Sequence, residues 1–242
     1  MSIRFSSLST YYAVRRLFTA TPTGEYYPPF PSTVAFWIRL TSDRNAYSAF
    51  AAYGNGGKWF IGTNATGTNL VFYNGTNNNG SNLTVGQWYH VAIVSHPGAT
   101  GARRLVYLDG KLDINATGDE PTTGGNAFNI GSDTASEYVD GCMSAFKVWA
   151  ALLTPEEIKE EMRYNAPVRK NNLWAWWPMV STNDNYTDRS GQGHPLELGS
   201  TVQGVEDDPP IAWAPSLRLR QGVRAFVASP ASGIRSQVII FG

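Results

Sequence analysis

The run LVYLDGKLDI, residues 105–114, sets Asp109 and Gly110 between two extended, alternating segments. A two-residue hairpin loop needs positive φ at both central residues so that its twist matches the flanking strands, and Asp-Gly accepts that conformation at little cost. This segment is therefore predicted to be a β-hairpin. An isolated hairpin is marginal in water, so further strands with an apolar face have to support it. The rest of the chain supplies them. Short runs of β-branched and aromatic residues alternate with clusters of Gly, Asn, Thr, Pro and Asp, as in an antiparallel all-β protein. Strands are predicted over 34–40 (VAFWIRL), 47–53, 59–62, 70–73, 88–95, 104–108, 111–114, 127–131 and 142–149, with β character resuming at 173–180 (LWAWWPMV).

One segment breaks the pattern. In TPEEIKEEM, residues 154–162, Thr154 can cap, Pro155 suits the first helical position and Glu157 completes a capping box. Acidic residues at the positive end of the helix dipole reinforce it. At about two turns it needs tertiary packing, and Ile158 and Met162, four residues apart, are its predicted buried side.

With 242 residues the chain has room for one large β domain and an appendage. Lys and Arg number 19, and so do Asp and Glu, which excludes a protein that coats nucleic acid or an anionic membrane by charge. The balance hides an asymmetry. Glu206, Asp207 and Asp208, then Pro209 and Pro210, mark the expected end of a domain at 1–208. Beyond it, residues 209–242 carry Arg218, Arg220, Arg224 and Arg235 and no acid. Strand-like runs at 225–228 and 237–241, the latter with Val238, Ile239, Ile240 and Phe241, would be costly to leave in water, so this tail reads as an arm that docks on a neighbouring subunit. Cys142 stands alone, which excludes an intrachain disulfide and a zinc site of several thiolates. No stretch reaches the roughly 18–20 apolar residues of a membrane helix, so no membrane insertion is expected. The start, MSIRFSSLSTYYAVRR, has no continuous apolar region, and no secretory leader is expected.

Three stretches together carry a family resemblance: TVAFWIRL at 33–40, GQWYHVAIV with LVYLDGKL within 86–112, and FNIGS with the VWAALLTPEEI run within 128–158. They resemble the laminin G-like and pentraxin-like branch of the concanavalin A-like jelly rolls, over roughly residues 1–200. The resemblance implies an all-β, two-sheet antiparallel jelly-roll β-sandwich, to which the chain adds the one short helix and the C-terminal arm read above. LWAWWPM with the DRSGQG turn is similar to a hairpin of lectin-like domains, and its place after the helix, as in pentraxins, implies closure by a C-terminal strand. Pentraxins join the strands matching TVAFWI and YHVAIV by a cysteine pair. Ala35 and Ala92 stand at the matching positions, so that bridge is absent here, which fits an origin outside an oxidising secretory route.

Relatives of this fold include glucanases, and retaining glycosidases need two carboxylates about 5 Å apart. The pattern E-x-D-x-x-E is absent, and the nearest approach, Glu137 and Asp140, precedes a strand, so catalysis is not expected. Relatives also hold calcium at one rim. Asp43, Asp133 and Asp188 are the candidate ligands for a single calcium ion, or else turn residues bonding their own backbone. His90, His96 and His194 define no triad, and Cys142 reads as a buried inert thiol. Tyr53, Asn55, Trp59 and Tyr73, near Gly- and Asn-rich loops, are candidate sugar contacts, whereas most other tryptophans read as core. Period-two alternation puts Trp174 and Trp176 on one strand face and Trp177 on the other. Six Asn-x-Ser/Thr sequons, at Asn64, Asn74, Asn79, Asn82, Asn115 and Asn185, read as a by-product of polar loops.

Two functional classes remain. One is a non-catalytic structural or adhesive virion protein of a bacteriophage, a capsid decoration or fibre module at the particle surface. WPM, DRSGQG and DDPP resemble phage-encoded lectin-like proteins, and the arm implies a homo-oligomer or contact with other capsid proteins. The other is a free glycan-binding lectin or carbohydrate-binding module, extracellular in location. Both allow contact with cell-surface glycans, and a glycoside hydrolase is the third, disfavoured alternative.

Overall fold

Asp109 and Gly110 take φ of 48° and 73°, the left-handed pair that a two-residue turn demands. The computed structural model describes residues 2–5, 14–15, 31–53, 59–65, 67–96, 102–118, 128–132, 137–180, 187–196 and 205–215. Within them the strands are β1 (Ser2–Phe5), β2 (Val14–Arg15), β3 (Ser32–Leu40), β4 (Ser48–Tyr53), β5 (Trp59–Thr63), β6 (Asn69–Tyr73) and β7 (Asn77–Asn82). Then come β8 (Trp88–His96), β9 (Ala102–Leu108), β10 (Lys111–Gly118), β11 (Phe128–Ile130), β12 (Gly141–Trp149), helix α1 (Pro155–Glu161), β13 (Leu173–Trp177) and β14 (Val205–Glu206).

They form two antiparallel sheets. One runs β10-β9-β8-β3-β12-β1-β14, with β13 also pairing β12, and the other runs β2-β11-β4-β5-β6-β7. Aromatic side chains fill the space between. Phe36 stacks on Phe146 at 4.9 Å and meets Phe50 of the opposite sheet edge-on at 6.4 Å, while Trp59 packs on Phe72 and Phe128. This is the jelly-roll sandwich with one short helix that the sequence implied.

Two bulges decide which side chains face in. Between the pairs Ser144↔Trp37 and Lys147↔Ala35 the β12 strand holds one residue more than β3, and Ala145 absorbs the irregularity at φ 52°. Met143, Phe146 and Val148 therefore all enter the main core, while Trp149 joins a separate cluster under the helix. In β13, Leu173 opposes Trp149 and Ala175 opposes Val148, which leaves Trp174 as the extra residue. The alternation expected from the sequence fails here for that reason. Trp174 lies 6.5 Å from Trp177 and 3.8 Å from His194, whereas Trp176 stands opposite Lys147.

Helix α1 closes with the expected capping box: the Glu157 N–H donates to Thr154 Oγ1, and the Thr154 N–H donates to Glu157 Oε2. Ile158 packs among Ala35, Ala92, Val94, Tyr107 and Trp149 on the outer face of the larger sheet. Ala35 and Ala92, the positions matched to the pentraxin cysteines, oppose each other directly on β3 and β8. The second buried helix residue is Glu161, not Met162 as predicted, because the buried Lys147 of β12 draws the carboxylate in. No helix among the described residues is long and apolar enough to cross a membrane.

The sequence reading missed β1, β2, β7 and β14. The most informative omission is β7, NNNGSN, because Asn and Gly are depleted in strands. It is an exposed edge strand paired with β6 by its backbone, so side-chain pattern carries little signal. The strand-like runs at 225–228 and 237–241 lie outside the described residues.

Candidate functional site

After α1 the chain folds back over the outer face of the larger sheet, and three buried side chains hold it there. Lys147 Nζ donates to the Glu161 carboxylate and backbone carbonyl, both at 2.9 Å, and to the Tyr164 carbonyl at 2.8 Å. Trp37 Nε1 donates to the Met162 carbonyl and Trp149 Nε1 to the Arg169 carbonyl. Residues 211–213 lie beside this segment: Asn165 N–H donates to the Ala212 carbonyl, Ala166 N–H to the Trp213 carbonyl, and Ala212 N–H to the Arg163 carbonyl. Trp213 is thereby fixed at the surface, 48% exposed, with its ring 5.9 Å from that of Trp176.

Two clefts flank this tryptophan pair. The first, about 170 Å³, is lined by Ser144, Asn165, Asp208 and Trp213, with Val180, Pro209 and Ile211. Asn165 is buried, and its amide nitrogen donates to the Pro178 carbonyl and Ser144 Oγ. Its Oδ1 is buried with no hydrogen-bond partner. A buried acceptor left unpaired costs about 1–3 kcal/mol, so a donor entering the cleft would gain that back.

The second cleft, about 250 Å³, is lined by Ala166, Pro167, Lys170, Leu173, Trp176, Arg189, Ser190 and Gln192. Asp188 organises the turn that forms its wall. Its Oδ1 accepts the N–H of Trp176 and of Ser190, and its Oδ2 accepts the Ser190 hydroxyl and the His194 N–H. Burial alone would raise the Asp188 pKa, but the His194 side chain 3.7 Å away, the Trp176 and His194 N–H groups and the Ser190 hydroxyl hold it below the usual carboxylate range. An exposed indole beside amide, hydroxyl and carboxylate groups is recognition chemistry: the ring packs on C–H faces and the polar groups fix orientation.

The predicted sugar contacts that the structure describes fall elsewhere. Trp59 is 5% exposed and its ring is enclosed by Phe72 and Phe128, so it is a core residue and no platform. Tyr73 is half-buried and stacks on Phe60 at 5.3 Å, on the outer face of the smaller sheet. The Tyr53 backbone pairs with Trp59 and Phe128. Asn55, Asp133, Arg218, Arg220, Arg224, Val238, Ile239, Ile240 and Phe241 lie outside the described residues.

Asp43 is exposed and accepts the Asn45 N–H, a turn contact. Asp188 is likewise a turn residue, its oxygens taken by four donors, and no three His, Cys, Asp or Glu gather as a metal site among the described residues. Asp140, one of the two carboxylates nearest a glycosidase pattern, accepts the hydroxyls of Thr41 and Ser42. Burial, and then Lys147, push the His90 pKa down to about 3, and Cys142 is a buried thiol whose Sγ accepts from the Arg39 guanidinium.

Sequence reasoning missed Asn165 and Trp213. Trp213 lies in the part assigned to the arm, yet Pro209 is buried and 211–213 pair with 163–166. The signal available was a tryptophan just after Pro209 and Pro210, an expensive residue for a linker.

Residues 16–159 match the family described as the concanavalin A-like lectin/glucanases superfamily. No curated protein matches the sequence. Among solved structures, a candidate carbohydrate-binding protein from Bacteroides ovatus is similar with a TM-score of 0.61 and 19% identity, covering 87% of this chain and 61% of that one. The chain thus spans about three fifths of that relative's length. A heptameric SAP-like pentraxin from Limulus polyphemus aligns at a TM-score of 0.43 and 17% identity, over 65% of this chain and 78% of that one. A Trypanosoma rangeli sialidase aligns at 0.45 and 14%, over 53% and 22%. At these identities the likeness to the Bacteroides protein is one of fold. The matched residues make up more than half of the sequence, and the chain belongs to the concanavalin A-like lectin/glucanase superfamily.

Proposed function

We propose that the domain is a non-catalytic glycan-binding module whose saccharide rests against Trp213 and enters the first cleft. The observation that carries this reading is the exposed Trp213 ring beside the unpaired, buried Asn165 Oδ1, with Ser144 and Asp208 in the same lining. A sugar ring offers a C–H face to the indole and hydroxyl donors to the amide oxygen. The Bacteroides relative, itself a candidate carbohydrate-binding protein, supports the same direction. Recognition without cleavage is supported by the described lining of this cleft, in which the indole, amide and hydroxyl groups are ones that bind a sugar. Screening the full chain against immobilised glycans tests the reading. Saturable binding that Trp213→Ala weakens without lowering Tm is expected, and a folded protein that binds no glycan refutes it.

A finer reading is display of this module on a bacteriophage particle, with homo-oligomer or capsid partners. What supports it is the sequence of the tail, four Arg and no acid followed by Val238–Phe241. Under this reading the module sits at the particle surface, and as a free lectin it would be extracellular. Deleting residues 216–242 should leave the sandwich folded and abolish assembly. A truncated chain that assembles normally contradicts the particle reading and leaves the glycan reading intact.

A further inference from the structure

We propose that the second cleft receives an anionic substituent of the bound saccharide, a carboxylate or a sulfate, so that the domain prefers acidic glycans to neutral ones. The proposal rests on the glycan reading above and adds the ligand's charge class. Two cations, Lys170 and Arg189, line this cleft together with the Gln192 amide, and none of its described lining residues is a carboxylate. The acid nearest in sequence, Asp188, is turned inward. Its side chain is 1% exposed, and both oxygens are held by Trp176, Ser190 and His194. The turn's negative charge is thus buried in hydrogen bonds while its cation lines the cleft.

A second observation is independent of charge. Trp176 lines the same cleft, and its Nε1–H is buried with no acceptor. Ser190 adds no free hydroxyl, because its Oγ–H donates to Asp188 Oδ2 at 2.8 Å and its Oγ accepts the Gln192 N–H. The buried Trp176 Nε1–H and the exposed Lys170 ammonium are donors suited to acceptor oxygens, and carboxylates and sulfates are acceptors only. The first cleft has the opposite character, with Asn165 Oδ1 and Asp208 as acceptors for sugar hydroxyls. The clefts are neighbours: consecutive residues Asn165 and Ala166 line one each, and the Trp176–Trp213 pair stands between them. One saccharide can enter both.

The test uses the full chain and immobilised oligosaccharides in matched sets, each core presented neutral, carboxylated and sulfated. Wild type is expected to bind an acidic form about tenfold or more tightly than its neutral counterpart, and Lys170→Gln to reduce that ratio at least about threefold. Lys170→Glu should reverse the preference. Lys170 is exposed, so Tm should not change for either variant. The larger gain, with carboxylate or with sulfate, identifies the source of the anion, and either one supports the proposal. Equal affinity for neutral and acidic forms, or a ratio unchanged in both Lys170 variants, overturns it while leaving the glycan reading standing. Absence of binding to every set overturns both.

Discussion

Lys147 and Glu161 meet at 2.9 Å with side chains only 2% and 1% exposed, joining the centre of the larger sheet to the last turn of α1. Burial pushes the Lys147 amine below its ordinary pKa, and Glu161 opposes that shift by charge and hydrogen bonding. Removing one partner leaves the other charge buried, at a cost of about 3–5 kcal/mol. Glu161→Gln and Lys147→Met should each lose stability of that order in denaturant unfolding at pH 7. The double variant, which strands no charge and keeps an acceptor for the Arg169 N–H, should be more stable than either single one. Single variants within about 1 kcal/mol of wild type would show that the pair does not hold this segment.

His90 gives a second, pH-dependent consequence. It is buried on the outer face beside Trp37, with its backbone N–H donating to Asp109 Oδ1, and burial followed by the like charge of Lys147 lowers its pKa from 6.5 to about 3. The unfolded chain takes up a proton below pH 6.5 and the native chain does not until about 3, so stability falls as pH drops through that window. Each pH unit is worth about 1.4 kcal/mol. Between pH 7 and 5 wild type should lose about 2 kcal/mol more than His90→Phe. Equal losses in denaturation at the two pH values would contradict a neutral, buried His90.

Asp188 acts over a lower window. A carboxylate whose pKa is depressed by folding contributes stability above its unfolded value, near 3.8, and loses it as pH falls towards the folded value. Asp188→Asn should therefore be clearly less stable than wild type at pH 7, with the gap narrowing below pH 4. The amide also loses acceptor capacity for the Trp176, Ser190 and His194 N–H groups, so hydrogen exchange at these three should quicken. A gap that stays constant from pH 7 to 3 would mean the carboxylate's charge is unimportant.

Much of the fold was legible in local patterns. Asp109-Gly110 announced its turn, Thr154 and Glu157 their capping box, and the strands from 34–40 to 142–149 recur within a few residues. The site was far less legible, for two reasons. The Ala145 and Trp174 bulges change the facing of side chains in β12 and β13, and alternation counted along the sequence cannot register an extra residue. Asn165 and Trp213 are brought together by pairing between 163–166 and 211–213, a contact about fifty residues long in sequence with no motif to mark it. Trp59 misled because an aromatic beside a Gly-rich loop looks alike in sequence whether it faces water or the sandwich interior.

On the proposed reading a saccharide rests on Trp213 and in the cleft beside Asn165. Titrating the best ligand from a glycan screen into wild type and Trp213→Ala, with Tm recorded for both, tests it most directly. A central tryptophan contact is worth about 2 kcal/mol or more, so affinity should fall about thirtyfold in the variant at unchanged Tm. Wild-type affinity in a folded Trp213→Ala protein would place the saccharide elsewhere and refute a site at Trp213.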